Sequence, residues 1–233
     1  MVFQMSSKAL LSWSGGKDSA LALYEVLGSR NFDIAALLTT VTGDYDRVSM
    51  HGVRSPLLDM QASSLGIALD KVIIPQNASN EAYETSLEKA LLKYKPSGVE
   101  TVIYGDIFLE EIRKYREEQL GKLGLGCVFP IWGRDSLSLA RTFIETGFKA
   151  VVVCVDSTQL DGGFAGRAFD DDFISELPPG TDPCGENGEF HTFVYDGPIF
   201  RERVGFERGE VVLRDGRFYY CDLLPKRREQ HFP

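Results

Sequence analysis

The chain has 233 residues, 43% of them hydrophobic and 25% charged, which leaves room for one large domain or a domain with an appendage. No stretch approaches the ~20 consecutive apolar residues of a membrane helix, and a net charge of −9 disfavours nucleic acid as the main partner. The N-terminus M-V-F-Q-M-S-S-K has no charged leader region and no cleavage motif, so a cytoplasmic location is expected.

Residues 9–13 are a short apolar run that stops at two glycines, the pattern of a buried strand. Ala20, Leu21, Leu23, Tyr24 and Leu27 then recur at helical spacing until Gly28. Residues 34–41 give a second apolar strand. Ser55 as N-cap and Pro56 in the first turn open a helix that ends at Gly66. Residues 72–74 form a third strand, and Asn80 caps a helix with Tyr83, Leu87, Ala90, Leu91 and Tyr94 on one face. Residues 101–104 are a fourth strand, followed by a charged helix over 108–123. Arg and Lys at 113–116 alternate there with Glu110, Glu111, Glu117 and Glu118, a solvated mixed-charge face. Residues 127–130 are short and apolar. Asp135 caps a helix closed by Gly147, and residues 150–155 are one more strand.

This alternation predicts an α/β fold, a parallel Rossmann-like sheet with right-handed crossovers and helices on both faces. The short, wholly apolar strands fit a sheet covered on both sides. After residue 156 the pattern changes to Gly- and Asp-rich loop, with strands expected over 190–195, 211–213 and 218–221 and an Asp215-Gly216 hairpin signal. The reading is an α/β domain over 1–155 and a smaller mixed part over 156–233. Cys127, Cys154, Cys184 and Cys221 form no C-x-x-C pair, so no zinc or iron–sulfur signature is present.

Residues 12–19 read S-W-S-G-G-K-D-S, between the first strand and the first helix. Adjacent glycines let the backbone approach an anion, and the helix N-terminus favours negative charge. Ser14 and Ser19 add hydroxyls and Lys17 a cation, so the natural ligand is phosphate. The loop is not a Walker A motif, because Leu11 stands where the first glycine is required and Asp18 where Ser or Thr is. A second constellation, D-P-C-G-E-N-G-E-F-H-T-F-V over 182–194, gathers Glu186, Glu189 and His191. Spacing alone is equally compatible with a solvated loop entering a strand.

S-G-G-K-D-S resembles the pyrophosphate loop of the N-type ATP pyrophosphatases, which cleave ATP between the α and β phosphates. G-E-N-G-E-F-H-T is similar to the C-terminal motif of the diphthine–ammonia ligase family. Met50-His51-Gly52, Gly105-Asp106-Ile107, Pro130-Ile131-Trp132 with Arg134, Gly147-Phe148 and Asp196 to Phe200 extend that resemblance along nearly the whole chain. The resemblance implies an AMP- and PPi-producing ligase. The carboxyl group of diphthine on elongation factor 2, or another protein or small-molecule carboxyl acceptor, would be adenylated and then amidated by ammonia.

Under that resemblance, residues 14–19 with Ser12 and Gly105 would hold ATP, Lys17 stabilising charge as the α–β bond breaks. Asp18 and Asp106 would bind Mg²⁺, although Asp106 is also a good helix N-cap. Thr39, Met50 and His51 would meet the base, His51 being equally readable as an incidental loop residue. Trp132 and Arg134 would form an acceptor pocket, with Trp132 alternatively core. Glu186, Asn187 and Glu189 would face substrate, and Glu186, Glu189 or His191 would bind ammonium and accept its proton. AMP is an expected ligand and a homodimer a candidate assembly. A tRNA-modifying pyrophosphatase and a non-catalytic adenine-nucleotide sensor of the same fold are the alternatives. The long separation of residues 186–191 from the phosphate loop suggests a role at the acceptor, away from the triphosphate.

Overall fold

The computed structural model describes residues 6–43, 47–48, 51–76 and 78–226. The first part runs β1 (Ser7–Ser12), α1 (Lys17–Ser29), β2 (Phe32–Thr42), β3 (Arg47–Val48), α2 (Ser55–Leu65), β4 (Leu69–Ile74), α3 (Asn80–Leu92), β5 (Val99–Ile103), α4 (Glu110–Lys122), β6 (Gly126–Val128) and α5 (Ser136–Glu145). The second contains β7 (Lys149–Asp156), α6 (Asp171–Ser175), β8 (Phe190–Asp196), β9 (Phe206–Arg214) and β10 (Phe218–Pro225). Strands β4, β2, β1, β5 and β6 pair in that order and in parallel, with β3 antiparallel to the end of β2.

The central strand shows why the sheet forms. Ala9, Leu10 and Leu11 are fully buried, and their side chains alternate between two cores. Ala9 and Leu11 join Leu37 and Ile103 against α1, α2 and α5, while Leu10 joins Ala36, Leu38 and Val102 against Leu91 of α3 and Leu120 of α4. Helices on both faces therefore follow from strands that are apolar on both faces. The caps move by one residue from the sequence expectation in two places. Ser79, not Asn80, accepts the Ala82 N–H at 3.2 Å, and Arg54 occupies the N-cap of α2 while Ser55 begins it. Asp135 caps α5 as expected, accepting the Ser138 N–H at 2.8 Å.

One strand belongs elsewhere than its sequence suggests. β7, read as the last strand of the parallel sheet, sits inside a second, antiparallel sheet of order β8-β7-β10-β9. Its residues from Ala150 to Asp156 are all buried, and a strand apolar on both faces carries no record of which neighbour it pairs with. The alternation of parallel strand and helix thus ends at β6, and the second sheet begins at Lys149. The β9–β10 turn is formed by Asp215 and Gly216 at φ 54° and 62°, as the D-G signal requires. No helix among the described residues is long and apolar enough to cross a membrane.

The two sheets are joined at the β1–α1 loop. Val194 of β8 donates its N–H to the Gly15 carbonyl at 2.9 Å, and the Lys17 N–H donates to Thr192 Oγ1 at 3.0 Å. Gln61 of α2 is fully buried at this junction. Its Nε2 donates to the carbonyls of Gly15 (3.0 Å) and Val194 (2.6 Å), and its Oε1 accepts from Trp13 Nε1 (2.9 Å). Gly15 is left-handed at φ 78°, and a Cβ there would lie 2.8 Å from Gln61 Oε1. Farther out, Asp222 of β10 accepts from both Arg47 and Arg54.

Gln61→Leu would leave the Trp13 Nε1–H buried without its partner and take the side-chain donor from the Val194 carbonyl, while the Gly15 carbonyl keeps the Val194 N–H, at roughly 1–3 kcal/mol for each unsatisfied buried group. A thermal melt should show a loss of at least about 2 kcal/mol, some 4–8 °C for a chain of this size. An unchanged melting temperature would mean that water replaces the amide.

Candidate active site

Strand order reverses between β1 and β5, because the chain proceeds outward from β1 through β2 and β4 on one side and from β5 to β6 on the other. Such switch points open a crevice at the carboxyl ends of the strands. A cavity of about 410 Å³ lies there. Of the residues singled out in the sequence, Ser12, Ser14, Lys17, Asp18, Ser19, Thr39, His51, Gly105, Asp106, Glu186 and His191 line it. Gly15 and Gly16 shape the loop from behind. A Cβ on Gly16 would come within 3.1 Å of His51 Cε1 and the Thr192 carbonyl. Gly105 has a packing reason as well, since a Cβ there would stand 2.7 Å from the Asp18 backbone carbon.

Trp132, Arg134, Asn187 and Glu189 do not line the cavity. Arg134 pairs with Glu25 at 2.6 Å, and Trp132 packs its ring beneath the Arg113 guanidinium, 4.8 Å from its centroid. Glu189 is almost fully buried in its own loop, its Oε1 accepting from the Asp182 N–H (3.0 Å) and Asn187 Nδ2 (3.1 Å). Met50 lies outside the described residues. The separation of residues 186–191 from the phosphate loop vanishes in the fold. β8 pairs with β7 and packs its Thr192–Val194 stretch against the loop, which brings Glu186 and His191 into the same cavity.

Lys17 points inward. Its Nζ donates to both carboxylate oxygens of Asp18 at 2.8 Å and to the Cys184 carbonyl, and it lies 5.9 and 5.6 Å from the ring centroids of Phe169 and Phe190. Burial pulls its pKa down, but Asp18, Cys184 and Glu186 outweigh that and hold it above the ordinary lysine value. Ser19 Oγ donates to the Gly16 carbonyl at 2.9 Å and lies 3.2 Å from Ser14 Oγ, so the two hydroxyls stand together at the loop. Thr39 is buried, and its Oγ1 has no hydrogen-bond partner among the described residues. A buried hydroxyl without a partner is costly, and a polar atom of a bound molecule is one way to satisfy it.

The imidazoles of His51 and His191 lie 4.5 Å apart, tilted by 34°. Burial pushes His51 down to about 4 despite the Thr192 carbonyl beside it. Burial, with His51 and Lys17 nearby, pushes His191 well below its usual value. Both are neutral near pH 7 and therefore suited to accept or donate hydrogen bonds without charge. Glu186 shifts the other way. Burial pushes it up to about 7, against the pull of the Ile107 N–H that its Oε1 accepts at 2.8 Å. A carboxyl that titrates near neutrality inside a cavity has the property of an acid–base group.

The carboxylates expected to hold a divalent cation are both engaged with side chains. Asp18 holds Lys17 through both oxygens, and Asp106 holds Arg116 through both, at 2.6 and 3.0 Å. No group of three or more His, Cys, Asp or Glu among the described residues could hold a metal ion. The arrangement does not fit a resident metal. Sequence reasoning missed Tyr83, Tyr104, Arg116 and Thr192 on the cavity wall. For Arg116 the available signal was its spacing from Asp106, which is uninformative without the fold.

The shifted Glu186 gives a stability prediction. Unfolded, it titrates near 4.5; folded, near 7, so in between only the folded chain keeps the proton. Stability is lost as pH rises through that window. Glu186→Gln removes the loss and can still accept the Ile107 N–H. Its melting temperature should exceed that of the unsubstituted protein at about pH 8 and converge with it toward about pH 4. Parallel curves at all pH values would show that Glu186 is not so shifted.

Comparison with known proteins finds two family domains in succession, with the break between them falling before α5. The family described as "Diphthamide synthase N-terminal domain" matches residues 6–126, and "Diphthamide synthase C-terminal domain" matches residues 135–222. Human diphthine–ammonia ligase is 25% identical over 223 residues, covering 86% of this chain and 83% of its own. The Danio rerio enzyme of the same name is 25% identical over 221 residues and covers 86% of each chain. The Schizosaccharomyces pombe relative of that name is 27% identical over 223 residues, which make up 36% of its length and 85% of this chain. With both domain families matched in order along most of its length, the chain belongs to the diphthamide synthase family.

Proposed function

We propose that this protein is an ATP-dependent ligase that adenylates a carboxyl group and amidates it with ammonia, with diphthine on elongation factor 2 as acceptor. One observation carries the reading: the phosphate loop and the near-neutral carboxyl of Glu186 face one cavity at the switch point of the sheet. Amide synthesis from a carboxylate needs both parts. Carboxylate is a poor electrophile because its oxygen leaves badly. ATP supplies a leaving group, and ammonium must lose a proton before nitrogen can attack.

The nucleotide phosphates would sit at residues 14–19, where Ser14, Ser19 and the α1 N-terminus offer donors. The Lys17 N–H is already taken by Thr192, and the Lys17 ammonium by Asp18 and the Cys184 carbonyl. Lys17 therefore acts as a nearby fixed charge, and contact with a phosphate would require it to release a partner. The Thr39 hydroxyl gains its hydrogen bond when the nucleotide arrives. A magnesium ion would enter with the triphosphate, held mainly by phosphate oxygens and water. Among the three groups considered as base in the sequence, Glu186 is favoured. It lines the cavity with the right proton affinity, whereas His191 is too weak a base and Glu189 is used by its loop. A cytoplasmic location and a homodimer remain part of this proposal.

Two substitutions test it. Thr39→Val keeps the shape and removes the hydroxyl. Calorimetry should show ATP and AMP both weakened about tenfold, ~1.4 kcal/mol, and undiminished affinity would place the nucleotide elsewhere. Glu186→Gln should bind ATP normally but lose about 10²–10⁴-fold in amide formation. In the unsubstituted enzyme kcat should rise with pH through about 7, because the base works only as carboxylate. Equal rates for Glu186→Gln and the parent would remove Glu186 from the reaction.

A further inference from the structure

Arg116 sits on α4, in the charged run whose sequence looks like a solvated face. The fold instead turns it into the cavity wall, with its side chain 27% exposed. Its Nε and Nη2 donate to Asp106 at 2.6 and 3.0 Å, and its guanidinium lies 4.1 Å from the Tyr104 ring centroid. The fork and the ring fix the plane of the guanidinium. Among the described residues, Nη1 has no hydrogen-bond partner. Among the described wall residues Lys17 is the other lysine or arginine, and its ammonium is occupied. Arg116 is thus the cavity cation with donors to spare.

Its position relative to Glu186 is the second observation. Asp106 holds Arg116, and the next residue, Ile107, holds the Glu186 carboxyl through its N–H. One turn after β5 therefore fixes both an anion-binding guanidinium and the favoured base. Ammonia freed at Glu186 must reach the acyl carbon, so the acyl group belongs beside this turn rather than at the β1–α1 loop, where the phosphates lie.

We propose that Arg116 is a catalytic residue that binds the carboxylate of the acceptor through Nη1 and keeps hold of that oxygen through amide formation. This rests on the ligase reading above. One carboxylate oxygen attacks the α phosphorus, the bond from the α phosphorus to the bridging oxygen breaks, and pyrophosphate leaves with the electron pair. The other oxygen, now the carbonyl oxygen of the adenylate, stays on Arg116. Glu186 takes a proton from ammonium. The nitrogen lone pair forms the C–N bond, and negative charge moves onto the oxygen facing the guanidinium. When the charge returns, the C–O bond to AMP breaks with its electron pair, and the second nitrogen proton leaves with the AMP oxygen.

Arg116→Met separates this from a phosphate-binding role. Calorimetry with ATP and with pyrophosphate should show affinities within about twofold of the parent. With diphthine-bearing elongation factor as acceptor, KM should rise at least about tenfold and kcat fall about 10²–10³-fold, the usual loss when an oxyanion donor is removed. Arg116→Lys, which restores charge without the fork, should recover part of KM and little of kcat; it also serves if the methionine variant fails to fold. A tenfold loss of ATP or pyrophosphate affinity would assign Arg116 to the phosphates and overturn the proposal. Unchanged KM and kcat in a folded variant would overturn it as well. If the unsubstituted protein makes no product with this acceptor, the ligase reading fails first and takes the assignment with it, an outcome visible without any variant.

Discussion

A buried ammonium ties the molecule together. Lys17 follows the double glycine, and its charge is taken out of water at a cost of several kcal/mol that only close partners can offset. They come from both halves of the chain: Asp18 next to it, the Cys184 carbonyl from the loop before β8, and the faces of Phe169 and Phe190. The backbone repeats the connection, with Thr192 accepting from the Lys17 N–H and Gly15 accepting from Val194. The phosphate loop is consequently a product of both sheets. Its conformation, left-handed at Gly15 and braced by Gln61, is held by residues that lie far apart in sequence.

That coupling sets the electrostatics of the cavity. A lysine on the wall whose ammonium is occupied, a guanidinium held by Asp106 and two imidazoles kept neutral by burial give a site that offers hydrogen bonds to anions from groups fixed in place. Glu186 stands in the same enclosure and is pushed toward neutrality by the same loss of water. The fold loses stability above the ordinary carboxyl range by keeping Glu186 there. A carboxyl poised near neutral pH has the proton affinity that the proposed base requires, and such exchanges of stability are common at active sites.

The turn after β5 distributes the remaining chemistry. Gly105 lets it pack against the backbone of Asp18, Asp106 takes the Arg116 fork, and Ile107 holds Glu186. These consecutive residues bring α1, α4 and the loop before β8 to one point at the switch in strand order. The ion pairs of Asp18 and Asp106 also explain why two carboxylates near a phosphate loop need not form a standing metal site.

The parallel sheet, its two helical layers and the double-glycine loop after β1 are legible in the sequence, because each rests on local causes. Apolar strands such as residues 9–11 must be covered on both faces, helical spacing selects the covering face, and two glycines at a strand end permit the tight loop. The sequence also supplied the Glu186 and His191 motif, though not which of its groups meets the cavity. Tertiary structure alone decided that Glu186 faces the cavity while Glu189 closes its own loop, since both are glutamates beside glycines in one short stretch. It decided that β7 joins the second sheet, because a strand buried on both faces looks the same beside any partner. It also decided that Lys17 turns inward and Arg116 turns toward the cavity. A charged side chain's surroundings depend on residues brought in from other elements, and spacing along the chain does not record them.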